Sequence, residues 1–230
     1  MFVTEYATLN TQATYNSTLT TEGFKQGGLG AGVTNINYDL WTTYNSNNPI
    51  IPCGYTDSLG NNTGVVTFTM PEEYNTTLLN ISVPRYRGIE NPFGHIWQYT
   101  DGINIRISPT EENGGDGLSK VFICSDPSKF NDSNYTGYTY VGDEARTEGY
   151  IKELIFGEYG EIIPKVVGGS SSTYFCDSHY TNIPSAEALR AVLFGGSANN
   201  GAHAGFVYAT SNNAPSNAHA YFGSRLCFYF

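Results

Sequence analysis

Short runs of β-branched and aromatic residues recur along this chain, each closed by glycine, asparagine or proline, and only one segment carries the signals of a helix start. Val65, Val66, Thr67, Phe68 and Thr69 follow a turn at Gly60, Asn61 and Asn62 and predict a strand. Further strands are expected over 78–83 and 121–124, and two short ones over 149–164 around a turn at 157–160. Pro184 with Ser185 as N-cap, then Ala186, Glu187, Ala188, Leu189 and Arg190, predicts a helix of about two turns. Val192, Leu193 and Phe194 revert to strand character before Gly195 and Gly196. The expected class is α+β, strand- and loop-rich with little helix.

A chain of 230 residues can bury a proper core as one large or two small domains. We expect an N-terminal strand-rich region over 1–83, its polar first 26 residues serving as an assembly arm, and a second region over 84–230. The 18 tyrosines among 26 glycines fit two readings, a binding surface built from Tyr, Ser, Gly and Asn or a strand-rich interior. A net charge of -10 with 11 basic residues argues against a phosphate-neutralising surface, so nucleic acid is not an expected partner. No apolar run approaches the ~20 residues of a membrane span, and the polar, Thr-rich start carries no secretory signal pattern.

Cys53, Cys124, Cys176 and Cys227 lie far apart with no CxxC pair, which disfavours zinc. Small buried thiols are the favoured reading and two disulfides the alternative. The acidic segment 111–117 lacks the alternating carboxylates of a calcium loop and reads as a solvated turn, with calcium as its alternative. The Gly-rich stretch 27–32 lacks the Gly-Lys-Ser/Thr ending of a phosphate loop and reads as a backbone bend. His179, close to Asp177 and Cys176, reads as surface decoration, and His95 as a structural histidine. No cofactor and no catalytic residue are expected.

From Gly195 onward, residues of very different size sit in a matrix of Asn, Ala, Ser and Gly, at intervals that fit neither helix nor strand. Such a pattern suggests a fixed backbone with free side-chain identity. The candidate binding residues are Ala198, Asn200, His203, Phe206, Tyr208, Thr210, Asn212, Asn213, Asn217, His219 and Tyr221. Gly223, Ser224, Arg225, Leu226, Cys227 and Phe228 close the tail as a buried strand.

Two motifs carry a resemblance. The order Asn91, Gly94, Ile96, Trp97, Tyr99 and Asp101 resembles the "GN-W-EW--D" core of the formylglycine-generating-enzyme type of C-type lectin fold, departing from it at His95, Gln98 and Tyr99. Leu193, Phe194, Gly195, Gly196 and Ser197, followed at a distance by Gly223, Ser224 and Arg225, look like the "RGGS... GFR" ending of that fold. Together they cover roughly 84–230. Within that fold the chain is most similar to the variable proteins of diversity-generating retroelements, especially those of phages infecting gut bacteria. The resemblance implies a C-type lectin-like domain with a core containing Trp97, Tyr99, Val121, Ile123, Ile155, Leu193, Leu226 and Phe228. It implies a virion adhesin whose tail is diversified by adenine-directed exchange to bind a bacterial surface receptor, glycan or protein. Ala198, His203, Phe206, Tyr208, Thr210, His219 and Tyr221 would be substituted positions, and Asn199, Asn200, Asn212, Asn213 and Asn217 unmutated or framework ones. Other virion proteins and a homo-oligomer, a trimer by fibre symmetry, are the implied assembly partners. A decoration or fibre protein without diversification is the alternative. A formylglycine-type oxidase is less favoured, since Cys176 and Cys227 are far apart and the latter sits in an apolar run where an inert thiol is expected.

Overall fold

Alternation of apolar and polar residues in short runs produces strands throughout the part of the chain described by the computed structural model, residues 51, 53–69, 80–170, 173–175, 177–197, 200, 203, 205, 208–219 and 222–224. The chain divides into two compact units. One comprises the described residues of Tyr99–Phe194 and Ala209–Ala218, and the other those of Thr14–Gln98, Gly195–Tyr208 and His219–Phe230. The stretches 1–26, 27–32 and 225–230, with Leu226 and Phe228, lie outside the described residues.

In the second of these units, β1 (Gly64–Thr69), β2 (Asn80–Tyr86) and β3 (Ile89–Glu90) form an antiparallel three-stranded sheet. The β2–β3 turn is Arg87–Gly88, both at positive φ, 46° and 84°, the backbone of a tight two-residue hairpin. Glu90 at its far side accepts from the backbone N of Gly54 and Thr56 at 3.0 and 2.7 Å, which ties down the loop before β1. The strand expected over 78–83 runs on to Tyr86 and so crosses the 83/84 boundary. Pro84 lies inside β2: its carbonyl still accepts from Asn91 N at 2.8 Å, and its missing N–H falls at the end of the β2–β3 pairing, which covers Arg85 and Tyr86.

The central motif follows. Asn91 at φ 46° and Gly94 at φ 73° make its turn, and Gly94 N donates to Gly195 O at 3.0 Å. His95 forms a parallel bridge with Ser197. β4 (Trp97–Ile107) begins here, its first two residues pairing in parallel with β12 (Phe222–Gly223). The two motifs singled out in the sequence therefore meet through their backbones.

The first unit is one sheet in the order β6-β5-β4-β10-β11-β9-β7-β8. Its other members are β5 (Ser119–Ile123), β6 (Thr139–Asp143), β7 (Gly149–Phe156), β8 (Ile162–Val167), β9 (Ser178–Tyr180), β10 (Ala188–Phe194) and β11 (Ala209–Thr210). β11 runs parallel to β9, and the register pairs Ala209 with His179. The ends of the path approach each other, for Ala145 N, just after β6, donates to Pro164 O of β8 at 2.7 Å. Inside lie Ile105, Ile107, Val121 and Ile163, with Ile103, Val141, Ile155, Ile183 and Val192 packed against them. Of the expected core, Trp97, Val121 and Leu193 are buried, whereas Tyr99, Ile123 and Ile155 are half-buried.

No α-helix occurs among the described residues, and the helix expected from Ser185 to Arg190 is absent. Glu187 instead reaches Arg106 on β4, and β10 begins at Ala188. Ala191 and Leu193 are buried at strand spacing, and Ala191 N donates to Asn213 O at 2.9 Å. Pairing and burial in the sheet override a helix propensity of a few tenths of a kcal/mol per residue.

Candidate functional site

The candidate tail residues are divided between the two units. Ala198, Phe206 and Tyr221 lie outside the described residues. In the second unit Asn200 is half-buried and serves the frame: its Oδ1 accepts from Ser197 N at 2.7 Å and Ser197 Oγ at 3.0 Å. Tyr208 is 5% exposed and packs on Trp97 with ring centroids 4.7 Å apart. Its carbonyl accepts from Gly195 N at 2.9 Å. That burial makes Tyr208 a core residue in place of the expected display anchor. His203 lies edge-on to Tyr208 at 6.2 Å and is exposed, and His219 is exposed with its ring 5.8 Å from Phe222.

In the first unit Thr210 is 3% exposed within β11, its Oγ1 accepting from Asn212 N at 3.2 Å, so it too belongs to the interior. Asn212 and Asn213 are half-buried and Asn217 is exposed. This loop is held from below, since Tyr99 Oη donates to Asn217 O at 2.8 Å and lies 3.3 Å from Ala214 O. Asn217 Nδ2 donates to Asn213 Oδ1 at 3.4 Å. Burial of Tyr99, with the nearby Asp132 charge, raises its phenol above the ordinary value and keeps that hydroxyl a donor. His203, Asn217 and His219 are the described candidates with exposed side chains.

A polar interior was missed in the sequence. Glu144 is 7% exposed, Thr181 7%, His179 2% and Ser211 1%. Ser211 Oγ donates to Glu144 Oε1 at 2.6 Å and lies 2.9 Å from Thr181 Oγ1. Burial pushes the Glu144 carboxyl up to about 8, against the hydrogen bonds from Ser211 and Thr181 and the charge of Arg146. His179, expected on the surface, is interior to β9. Burial lowers its pKa, opposed by the hydrogen bond between its Nε2 and Ala145 O at 3.0 Å. The carbonyl can only accept, so Nε2 carries the proton. Asp177 beside it is likewise buried. The only local signal was the alternation of polar types in 177–181, which reads equally as a solvated loop.

The acidic loop is occupied by the protein's own cations: Asp116 Oδ2 lies 2.6 Å from Arg106 Nη1 and 3.2 Å from Lys120 Nζ. Among the described residues no cluster of three or more His, Cys, Asp or Glu could hold a metal ion, and no helix is long and apolar enough to cross a membrane. Cys53 is exposed, against the expectation of buried thiols, because its loop leads into the 3₁₀ turn Asp57–Leu59 at the edge of the small sheet. Cys124 is half-buried, and its Sγ donates to Asp126 O at 3.4 Å. Cys176 and Cys227 lie outside the described residues. Comparison with known proteins identifies no relative: no family model, no curated protein and no solved structure matches the chain.

Proposed function

We propose that the chain is a phage virion adhesin of C-type lectin-like fold, which binds a bacterial surface receptor through residues of its 198–221 tail. The observation that supports this reading is the separation between frame and display. Asn200, Tyr208, Thr210 and Asn213 are engaged in hydrogen bonds or burial, while His203, Asn217 and His219 have exposed side chains, the last two on backbone held by hydrogen bonds. Exposed side chains of this kind tolerate exchange at little cost in stability. Adenine-directed exchange, trimeric assembly and contact with other virion proteins complete the reading, because weak single sites gain avidity when repeated on a particle.

The test is adhesion of the purified chain, displayed on a multivalent carrier, to a panel of gut bacterial cells. Binding to a subset is expected, and the triple variant His203→Ala, Asn217→Ala, His219→Ala should lose it with its circular dichroism unchanged. A folded triple variant that adheres as well as the parent overturns the assignment of these residues, and failure to adhere to any cell overturns the adhesin reading.

A further inference from the structure

β4 places alternate residues on opposite faces, and its two faces do different work. Ile103, Ile105 and Ile107 point into the core, whereas Asn104 and Arg106 lie on the other side. Asn104, 4% exposed, donates through Nδ2 to Asn131 O and Asn134 O, both at 2.8 Å. The loop it grips is locked again from within: Asn131 Oδ1 accepts from Ser133 N and Asn134 N, and Asn134 Oδ1 from Thr136 N. Between this loop, Arg106 and the start of β10 is a cleft of about 480 Å³, inside the range of roughly 300–1,000 Å³ typical of small-molecule sites.

Two features of its lining specify a ligand. The first is an aromatic ring held in place: Tyr135 stacks on Phe122 at 4.2 Å and 12°, and is 36% exposed. Beside it Ser133 Oγ, Asn134 Nδ2 and Thr136 Oγ1 carry no hydrogen bond among the described residues. The second feature is charge balance, for Arg106 and Glu187, the charged residues of the lining, pair with each other, and Asp116 and Lys120 extend the network outside the cleft. Arg106 pairs with both Asp116 and Glu187, and Lys120 also pairs with Asp116, so two cations meet two anions. An anionic ligand would have to displace a carboxylate and a cationic one an arginine. A neutral ring with hydroxyls needs neither, since its C–H face can stack on Tyr135 while its hydroxyls reach the unengaged groups on a loop already ordered before binding.

We propose that this cleft binds a neutral saccharide, a hexose or a short chain of them, with Tyr135 as the stacking face and Ser133, Asn134 and Thr136 as the polar contacts. The site is independent of the adhesin reading, for it uses none of the tail candidates, and the tail variants leave it intact.

Saturation-transfer NMR tests it on the full chain with glucose, galactose, mannose, N-acetylglucosamine and lactose, and with sialic acid as the charged comparison. Transfer to one or more neutral sugars at millimolar concentration is expected, absent in Tyr135→Ala and retained in Tyr135→Phe. It should also be retained in Tyr159→Ala, a 64% exposed tyrosine in the β7–β8 turn. In the unmodified chain, the amide resonances that shift on titration should be those of 133–136 and 187–189, which keeps the assignment testable should Tyr135→Ala not fold. Three results overturn it: no transfer from any neutral sugar up to tens of millimolar, binding of sialic acid alone, or shifts confined to residues elsewhere.

Discussion

Glu144 is where burial and ionisation conflict most directly. Its carboxyl is held at about 8 against an ordinary 4.5, with burial as the main cause. The folded chain therefore binds this proton more tightly than the unfolded chain. The contribution to stability is fully present below the ordinary value and is lost as pH rises through about 8, with a slope of up to about 1.4 kcal/mol per pH unit. His179 acts in the opposite direction: its lowered pKa disfavours the folded state on acidification below the ordinary histidine value. The alkaline loss thus belongs to Glu144. Glu144→Gln keeps an acceptor for Ser211 Oγ and removes the titration, so its melting temperature should stay level where the parent's falls, between the ordinary histidine value of about 6.5 and about pH 8, and exceed the parent's above that range. Thermal melts across that range decide it, and an unchanged alkaline slope in the variant contradicts the account. None of this was legible in the sequence, because a Glu in the run Gly142, Asp143, Glu144 and Ala145 reads as surface. Its buried hydrogen-bond partner, Ser211, is 67 residues away.

At the scale of elements, β4 depends on one glycine. Gly102 adopts φ 80°, and a Cβ there would lie 2.6 Å from Cys124 O and 2.8 Å from Phe130 Cε1. Gly114 has nearly the same φ, 79°, with nothing within 4 Å of the corresponding position. Gly114→Ala should cost about 1 kcal/mol, the strain of a left-handed residue alone. Gly102→Ala should cost about 3 kcal/mol or more, since the crowding atoms include backbone. Denaturant midpoints of the two variants measure the difference, and equal costs would show that contact plays no part. Strands with a strong local signature were legible in the sequence. The β-branched run of β1 and the β7–β8 hairpin around Gly157–Gly160 are where their composition puts them. β9 and β11, three and two residues long, were not, because each exists through its neighbours, β7 and β11 for β9 and β10 and β9 for β11, and the parallel β9–β11 contact joins segments about 30 residues apart and leaves no local pattern. The misread helix at 184–190 has the same origin, a local propensity overruled by partners distant in sequence.

For the whole molecule, the tail is not a uniform display strip. Its described residues are shared between two units, and in each some are frame and some are surface. Under the proposed diversified adhesin, adenine-directed exchange should follow that division across sister copies of the coding segment. A change at Tyr208 strips a partner from Trp97, a large-to-small change there costing about 3–5 kcal/mol, and a change at Asn200 takes the acceptor from Ser197 N. With total stability of about 5–15 kcal/mol, copies altered at such positions are depleted, whereas exposed His203, Asn217 and His219 vary at little cost. Sequencing many copies from one population, together with the neighbouring genes, should therefore show variation concentrated at 203, 217 and 219, with 200, 208 and 210 nearly constant. A template copy and a reverse-transcriptase gene should lie nearby. Uniform copies would return the chain to an undiversified binding or structural role. Variation as frequent at 208 and 210 as at 203 would show that burial does not govern which positions are free.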